Sequence, residues 1–584
     1  MGFAMCKICA VPSQILTIYI HGLQYYSGAR KGGCKRRSKK EKGVTQMTKR
    51  FLAILLTCLL VLTSYTALAD VAEERDAYIR ERAQMNSKVE RLTDEPVTLT
   101  LWADTKNNGA VGTLIEKLDD MEMLKAMEAK TGVHIECICP PVGEDETAFS
   151  LMLASGKYPD IILGFNNYYP YSGDTAIDEG IIVNIADLLD VAPHYKAVIE
   201  ASDFRKKSVT TDLGNMPYIH MPTVLDETGL NIGGPIIRQD LLDKLGMEAP
   251  TTYDELHTFL TRCVDELGLK RPMALDSNGA SKYDGLTAGY GFHLKNICTT
   301  HAFYLEGGKV TYAPLTEGYR EYITTLSQWY KEGLIDPDFA SVITFDDGVA
   351  MITSGECAYS TDHSGILGMY NSVGQTLNPD YNFVIAPMPV RKGGDTVHIG
   401  SSSGASCNIA AAISTSCKDP ELAMRYIDQW FTDEGFMMAN FGVEGKTYEM
   451  VDGMPTYTDF VMNNPDMDSV AILSAYATPV TWFSEFISCR DVSQATRQAT
   501  QIWDEQNDSE GVIPGAVTLN SEEKEVYGDL YSEISSYVEE MTVRFIMGLE
   551  PVENYDTFVE QLNSLGVNEA IGAYQAAYDR YMAR

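Results

Sequence analysis

From residue 97 onward, apolar positions alternate between strand-like and helix-like spacing. Val97 to Trp102 is β-rich and apolar enough to predict a buried strand. Thr113 to Lys130 sets Leu114, Leu118, Met121, Leu124 and Met127 three and four residues apart, which predicts one helix with an apolar face. Gly132 stands where a left-handed cap would end it. Val133, Ile135, Cys137 and Cys139 then alternate with His134 and Glu136, predicting a strand with both cysteines packed on one side. A second helix is predicted over Glu146 to Ala154, ending near Gly156, and a third strand over Asp160 to Leu163. Strand and helix in such strict alternation predict right-handed crossovers and a parallel sheet with helices on its faces. Ligands of such sheets sit outside the carboxyl ends of the strands. The residues leaving the first and third strands there, Trp102-Ala103-Asp104 and Phe165 to Tyr169, are therefore expected to share one rim.

The helical pattern continues downstream. Pro235 to Asp240 leads into a helix over Leu241 to Leu245 closed by Gly246. Thr251 or Thr252 caps the next helix, and Glu255, three residues after Thr252, would complete a capping box. Glu317 to Glu332 is amphipathic and stops at Gly333 and Asp336-Pro337; long helical runs are predicted over Pro420 to Phe436, Ser521 to Leu549 and Tyr555 to Met582. No internal repeat is visible.

Ahead of this pattern lies a different kind of segment. Lys49 and Arg50 precede an apolar run from Phe51 to Leu62, broken by Thr57, and a small-residue stretch ending Ala67-Leu68-Ala69, the three parts of a secretory signal with cleavage expected before Asp70. The run is too short to span a bilayer, which takes roughly 20 residues. Residues 1–46 look like an over-extended start, 47–69 are the signal, and 70–96 are expected to form an exposed helical segment. Cys58 raises a lipid anchor as an alternative, but Thr57 ahead of it is a poor substitute for the small residue required, so free secretion is favoured. Removing residues 1–69 takes away eleven Lys and Arg and one acidic side chain, leaving 35 basic and 80 acidic groups and a net charge of −45. Such a field repels nucleic acid and anionic lipid. Eight cysteines remain, without disulfide-framework or zinc spacing, so mostly free thiols are expected, with one or two bridges allowed. A chain this long calls for two domains.

Several segments resemble one family. Leu153-Ala154-Ser155-Gly156-Lys157-Tyr158-Pro159-Asp160-Ile161-Ile162, Ile237 to Gly246 (IRQDLLDKLG), Trp329 to Pro337 (WYKEGLIDP) and Phe441 to Tyr448 (FGVEGKTY), followed by Asp452-Gly453-Met454-Pro455, are similar, in this order, to family 1 extracellular solute-binding proteins of ABC importers, and within them to a long, oligosaccharide-associated subgroup. The resemblance covers residues 97–460 and thins after about 500. It implies an α/β fold, periplasmic-binding-protein-like type II, with two discontinuous lobes joined by a hinge. Lobe one would comprise 97–224 and 388–445, lobe two 225–387 and 446–584, with the last crossing near Gly445.

A sugar presents apolar C–H faces rimmed by hydroxyls, so its site needs aromatic plates and planar polar groups. Asp104 and Asn107 after the first strand, and Asn166, Tyr168, Tyr169 and Tyr171 after the third, supply one jaw. By resemblance, Tyr359, Asp362 and His363 form a ligand-facing turn on the other, with Trp482, Phe483 and Glu485 nearby; Trp482 fits a stacking plate and an ordinary core residue equally well. Gly400-Ser401-Ser402-Ser403-Gly404 matches a nucleophile elbow in letters, but Ala405 to Ile409 after it reads as strand where an elbow needs helix. Ser402 is thus expected to hydrogen-bond a ligand rather than attack one. Gly445-Lys446-Thr447 lacks the earlier glycine of a phosphate loop, and no metal or calcium-loop pattern occurs. With the resemblance, these features imply a monomeric, non-enzymatic protein without metal or cofactor that hands a small solute, an oligosaccharide first, to the membrane subunits of an ABC permease. A secreted glycoside hydrolase and a binder of peptide or organic ion are the alternatives.

Overall fold

The computed structural model describes residues 76–103, 110–141, 143–222, 233–275, 286–292, 302–341, 345–363, 366–395, 397, 406–462, 464, 467, 469–477, 502–503, 506, 510–514 and 517–584, all within the compact unit that starts at Asp70. Strands β1 (Val97–Trp102), β2 (Val133–Ile138), β3 (Ile161–Leu163) and β4 (Ile219–Pro222) begin a first sheet. The chain then builds a second sheet from β5 (Gly233–Arg238), β6 (Tyr359–His363) and β7 (Phe383–Ile385), and returns to the first with β8 (Ser406–Ile413). The first sheet runs β2-β1-β3-β8-β4; β2, β1 and β3 are parallel as the crossovers predict, whereas β8 is antiparallel to both neighbours. The second sheet, β6-β5-β7, is wholly antiparallel.

Period-two alternation splits the first sheet's side chains between two cores. Leu99, Leu101, Ile161, Leu163, Ile219, Ala411 and Ile413 meet Met127, Tyr195, Tyr426 and Trp430 on one face. Trp102, Ile162 and Ala412 meet Phe149, Phe165 and Tyr169 on the other. A third core joins Ile237 of β5 to Phe259, Trp329, Ile534, Phe545 and Phe558, so the C-terminal helices belong with the second sheet.

Several elements are shorter than their patterns. The helix expected over Thr113–Lys130 is a 3-10 turn, Leu118–Asp120, and a helix, Glu122–Thr131, because Met121 is non-helical between them. Asp119 ties that turn to the end of β2, accepting from the Cys137 N–H at 2.7 Å and pairing with Lys117 at 2.7 Å. Cys137 is half-buried and Cys139 exposed, so the pair is not jointly packed. Cys137 is a free thiol, as are Cys263, Cys357 and Cys417. The run from Pro420 breaks at Thr432, whose hydroxyl caps a new helix, Asp433–Phe441. The last run divides at Gly566, with φ of +89°, into Tyr555–Ser564 and Val567–Ala583. The capping box at Thr252 and Glu255 is present.

The segment before β1 is docked rather than exposed. Residues 76–82 are helical, and Ile79 is buried against Phe436, Met437 and Phe441. Asp433 holds Arg82 at 2.7 Å and the Ser87 N–H at 3.1 Å, and Glu434 accepts from the Val89 N–H at 3.0 Å. The hairpin Tyr448–Val451 and Met454–Tyr457 packs on Phe436 and Phe441, and the helix Ser469–Tyr476 packs beside Leu114. The chain thus stays with the first sheet's body to Ala477. By Trp503 it has reached the second, where the indole lies among Ile236, Ile385 and Met388 and donates to the Ala386 carbonyl at 2.8 Å.

Candidate functional site

The carboxyl end of β3 turns sharply at Gly164, which adopts φ of +73° and bonds its N–H to the Ala410 carbonyl of β8 at 2.8 Å. This turn throws Phe165–Tyr168, a single helical turn, across the edge of the sheet beside the end of β1. Trp102 meets Tyr168 edge-on at 5.3 Å and Phe149 at 5.6 Å; Phe165 and Tyr169 lie 5.0 Å apart, and Tyr171 meets Tyr169 edge-on at 5.7 Å. Edge and tilted packing of this kind fixes ring orientation as well as burying area. The rim is an aromatic shelf set by β1 and β3.

Its members have different duties. Tyr171 is 54% exposed and presents an open ring. Tyr168 is half-buried. Tyr169 is buried, and its hydroxyl donates to Glu179 at 2.8 Å; burial, followed by that carboxylate, raises its pKa. It therefore supports the shelf from beneath. The Asn166 amide oxygen accepts from the Ala410 N–H at 2.9 Å, and its amide nitrogen donates to Asn167 at 3.1 Å, which leaves the exposed Asn167, absent from the sequence-based set, carrying a carboxamide outward.

On the second sheet the expected turn is a strand, β6. Tyr359 is 1% exposed, in the core with Ile237 and Ile335. Asp362 is buried too, opposite Gly234 in register, and accepts from the Tyr370 hydroxyl. His363 ends β6 opposite Gly233, with its side chain outside the described residues. Asp104, Asn107, Ser402, Trp482 and Glu485 also lie outside them.

The two bodies touch beside the shelf. Lys524, in the helix Ser521–Ile546, donates to the Tyr171 carbonyl at 2.7 Å, and Ser521 meets Thr175 at 2.7 Å. Arg580 bridges Asp212, at 2.6 Å, and Glu523, at 2.7 Å. Burial lowers the Lys524 pKa, whereas hydrogen bonding to Glu523 raises that of Arg580.

Among the described residues no cluster of His, Cys, Asp or Glu is arranged to hold a metal, and no helix is long and apolar enough to cross a membrane. The geometry is that of an aromatic shelf at the edge of the first sheet, met by the helix Ser521–Ile546. The family model for bacterial extracellular solute-binding proteins matches residues 122–466, more than half of the chain. The chain belongs to that family. It is 22% identical over 473 residues, 77% of this chain and 87% of the relative, to Lipoprotein LipO of Bacillus subtilis. It is also 20% identical over 498 residues, 79% and 87%, to the fructooligosaccharide ABC transporter substrate-binding protein FusA of Streptococcus pneumoniae. The crystal structure of the alginate-binding protein AlgQ2 without calcium ion superimposes with a TM-score of 0.67 at 21% identity, covering 84% of this chain and all of AlgQ2. The fold is that of periplasmic-binding-protein-like solute-binding proteins.

Proposed function

We propose that this protein is the extracellular binding component of an ABC importer, capturing an oligosaccharide between two lobes and passing it unaltered to the permease. The carrying observation is the shelf of Tyr168 and Tyr171 beside the amides of Asn166 and Asn167, at the carboxyl edge of the first sheet. Open aromatic rings suit sugar C–H faces and carboxamides suit hydroxyls. FusA, AlgQ2 and a polygalacturonan/rhamnogalacturonan-binding protein of B. subtilis carry saccharide ligands in their names, which supports the ligand class. Lobe one would be built on the first sheet and lobe two on the second. A bridging ligand favours the closed arrangement only through contacts made with both. Asp104, Asn107, His363, Ser402, Trp482 and Glu485 complete the proposed site. The protein acts as a monomer outside the membrane; the kinship with a named lipoprotein gives acylation of Cys58 more weight against free secretion after Ala69.

The test is calorimetric titration with kestose, nystose and trigalacturonate, followed by chromatography of the recovered sugar. Binding without cleavage is expected, with Tyr171→Ala weakening it about tenfold, the value of one stacking contact. Cleaved sugar would favour a hydrolase. Affinity only for peptides or polyamines would replace the ligand class.

A further inference from the structure

Strand β4 carries a group that the shelf has so far left out. Ile219 points into the core with Leu101 and Trp430, so the alternation of a strand sets Tyr218 and His220 on the opposite, aromatic face. Tyr218 packs against Phe165 at 5.9 Å and His220 against Tyr218 at 5.9 Å, edge-on. In register, His220 lies opposite Ala410, the residue whose N–H is held by Asn166. The imidazole is thus one strand away from the amides and rings of the shelf, at the same edge.

Its hydrogen bonding is incomplete. The His220 backbone N–H donates to the Tyr195 hydroxyl at 3.2 Å, but the ring Nδ1 is sealed from solvent and has no hydrogen-bond partner among the described residues. The residue as a whole is half-buried, and of its two ring nitrogens only Nδ1 is both sealed and without a partner. A neutral imidazole has one N–H and one bare nitrogen. Orphaned N–H groups are rarer in proteins than under-satisfied acceptors, which places the proton on Nε2. Among the described residues no charged side chain shifts the ring, and burial pushes its pKa down to about 4, so the neutral form persists at ordinary pH.

We infer that His220 is a ligand-contacting residue of the shelf, its Nε2–H donating to a hydroxyl or ring oxygen of the bound oligosaccharide. This deepens the solute-binding reading and rests on it. A sealed polar atom with no partner is costly to keep, and a function at the other end of the same ring accounts for its retention.

Two measurements test this. In the unliganded protein at pH 7, long-range proton–nitrogen correlation spectra should find the His220 ring as the Nε2–H tautomer; an Nδ1–H tautomer overturns the inference without any ligand. Binding is then compared by calorimetry with kestose, nystose and trigalacturonate for wild type, His220→Phe and His220→Gln. His220→Phe keeps the ring's bulk and removes both nitrogens, and should lose about tenfold or more in affinity while the unliganded protein melts at the same temperature or slightly higher. His220→Gln restores a donor and should recover part of the loss, which a merely structural role would not produce. If Tyr171→Ala weakens binding and both His220 variants bind like wild type, His220 is not a contact although the shelf is. If wild type binds none of the three sugars, the oligosaccharide reading falls and takes this inference with it.

Discussion

Removing the Asp240 carboxylate should expose how much of the second body rests on a single buried charge. Arg238, at the end of β5, holds Asp240 through two hydrogen bonds, Nε to Oδ1 at 2.6 Å and Nη2 to Oδ2 at 2.8 Å, with the two side chains 3% and 8% exposed. The guanidinium carbon lies 3.8 Å from the centroid of the Tyr381 ring, which covers one of its faces. Burial alone would raise the Asp240 carboxyl; the Arg238 hydrogen bonds and charge outweigh it and hold the pKa below the ordinary carboxylate value. Breaking such a pair by deleting one partner typically costs about 3–5 kcal/mol, because the remaining charge is stranded, whereas replacing both by apolar groups is often nearly neutral. Asp240→Ala should therefore lower stability by about 3–5 kcal/mol in guanidinium denaturation, and Arg238→Met with Asp240→Leu should regain most of it. With its folded pKa depressed, the pair's contribution is complete above the unfolded value near 4 and is lost as pH falls through the folded value. A cost below about 1 kcal/mol for Asp240→Ala, or a double variant no better than the single one, would refute the stranded-charge account.

Two further outcomes follow from groups already described. Arg580→Met removes the bridge between Asp212 and Glu523 beside the Lys524–Tyr171 contact, and should increase the radius of gyration of the unliganded protein in X-ray scattering while costing about 1 kcal/mol or less; unchanged scattering would mean the bridge does not restrain the two bodies. His220 and His194 pull stability in opposite directions with pH. Burial depresses the first, so unfolded chains take up its proton before folded ones and stability falls by about 1–3 kcal/mol between pH 6.5 and 4; His220→Phe should flatten that slope. The hydrogen bond to Asp428 raises the second, giving a contribution present below pH 6.5 and lost as pH rises through its folded value, which Asp428→Asn should remove.

Local patterns carried much of the fold. The β1, β2 and β3 strands, the cap at Gly132 and the capping box at Thr252 were legible because each depends on neighbours within a few residues. Partners outside any local motif decided what the patterns left open. Tyr169 reads as an open ring until Glu179 takes its hydroxyl, and Asp362 reads as a ligand group until Tyr370 folds over it. Tyr359 follows Cys357 and Ala358 in an apolar stretch, a signal for burial that the family placement outweighed. His220 sits in a four-residue strand, too short to show a period; only its register with Ala410 brings it to the shelf. The docking of residues 76–90 on Asp433 and Glu434 joins groups more than 300 positions apart and leaves no local trace.

The seating of Trp503 bears on when this chain can fold. A Cβ at Gly234 would lie 2.6 Å from the indole, so the start of β5 is shaped to a residue made some 270 positions later. The first sheet likewise lacks β8, which joins β4 to β3, until Ile413 has been made, and the second body waits for Phe545 and Phe558. Contacts this distant delay folding, and neither core can close on a growing amino-terminal portion. Each core therefore gathers much of its packing from residues made late, so folding is set by long-range closure more than by the local elements that form first.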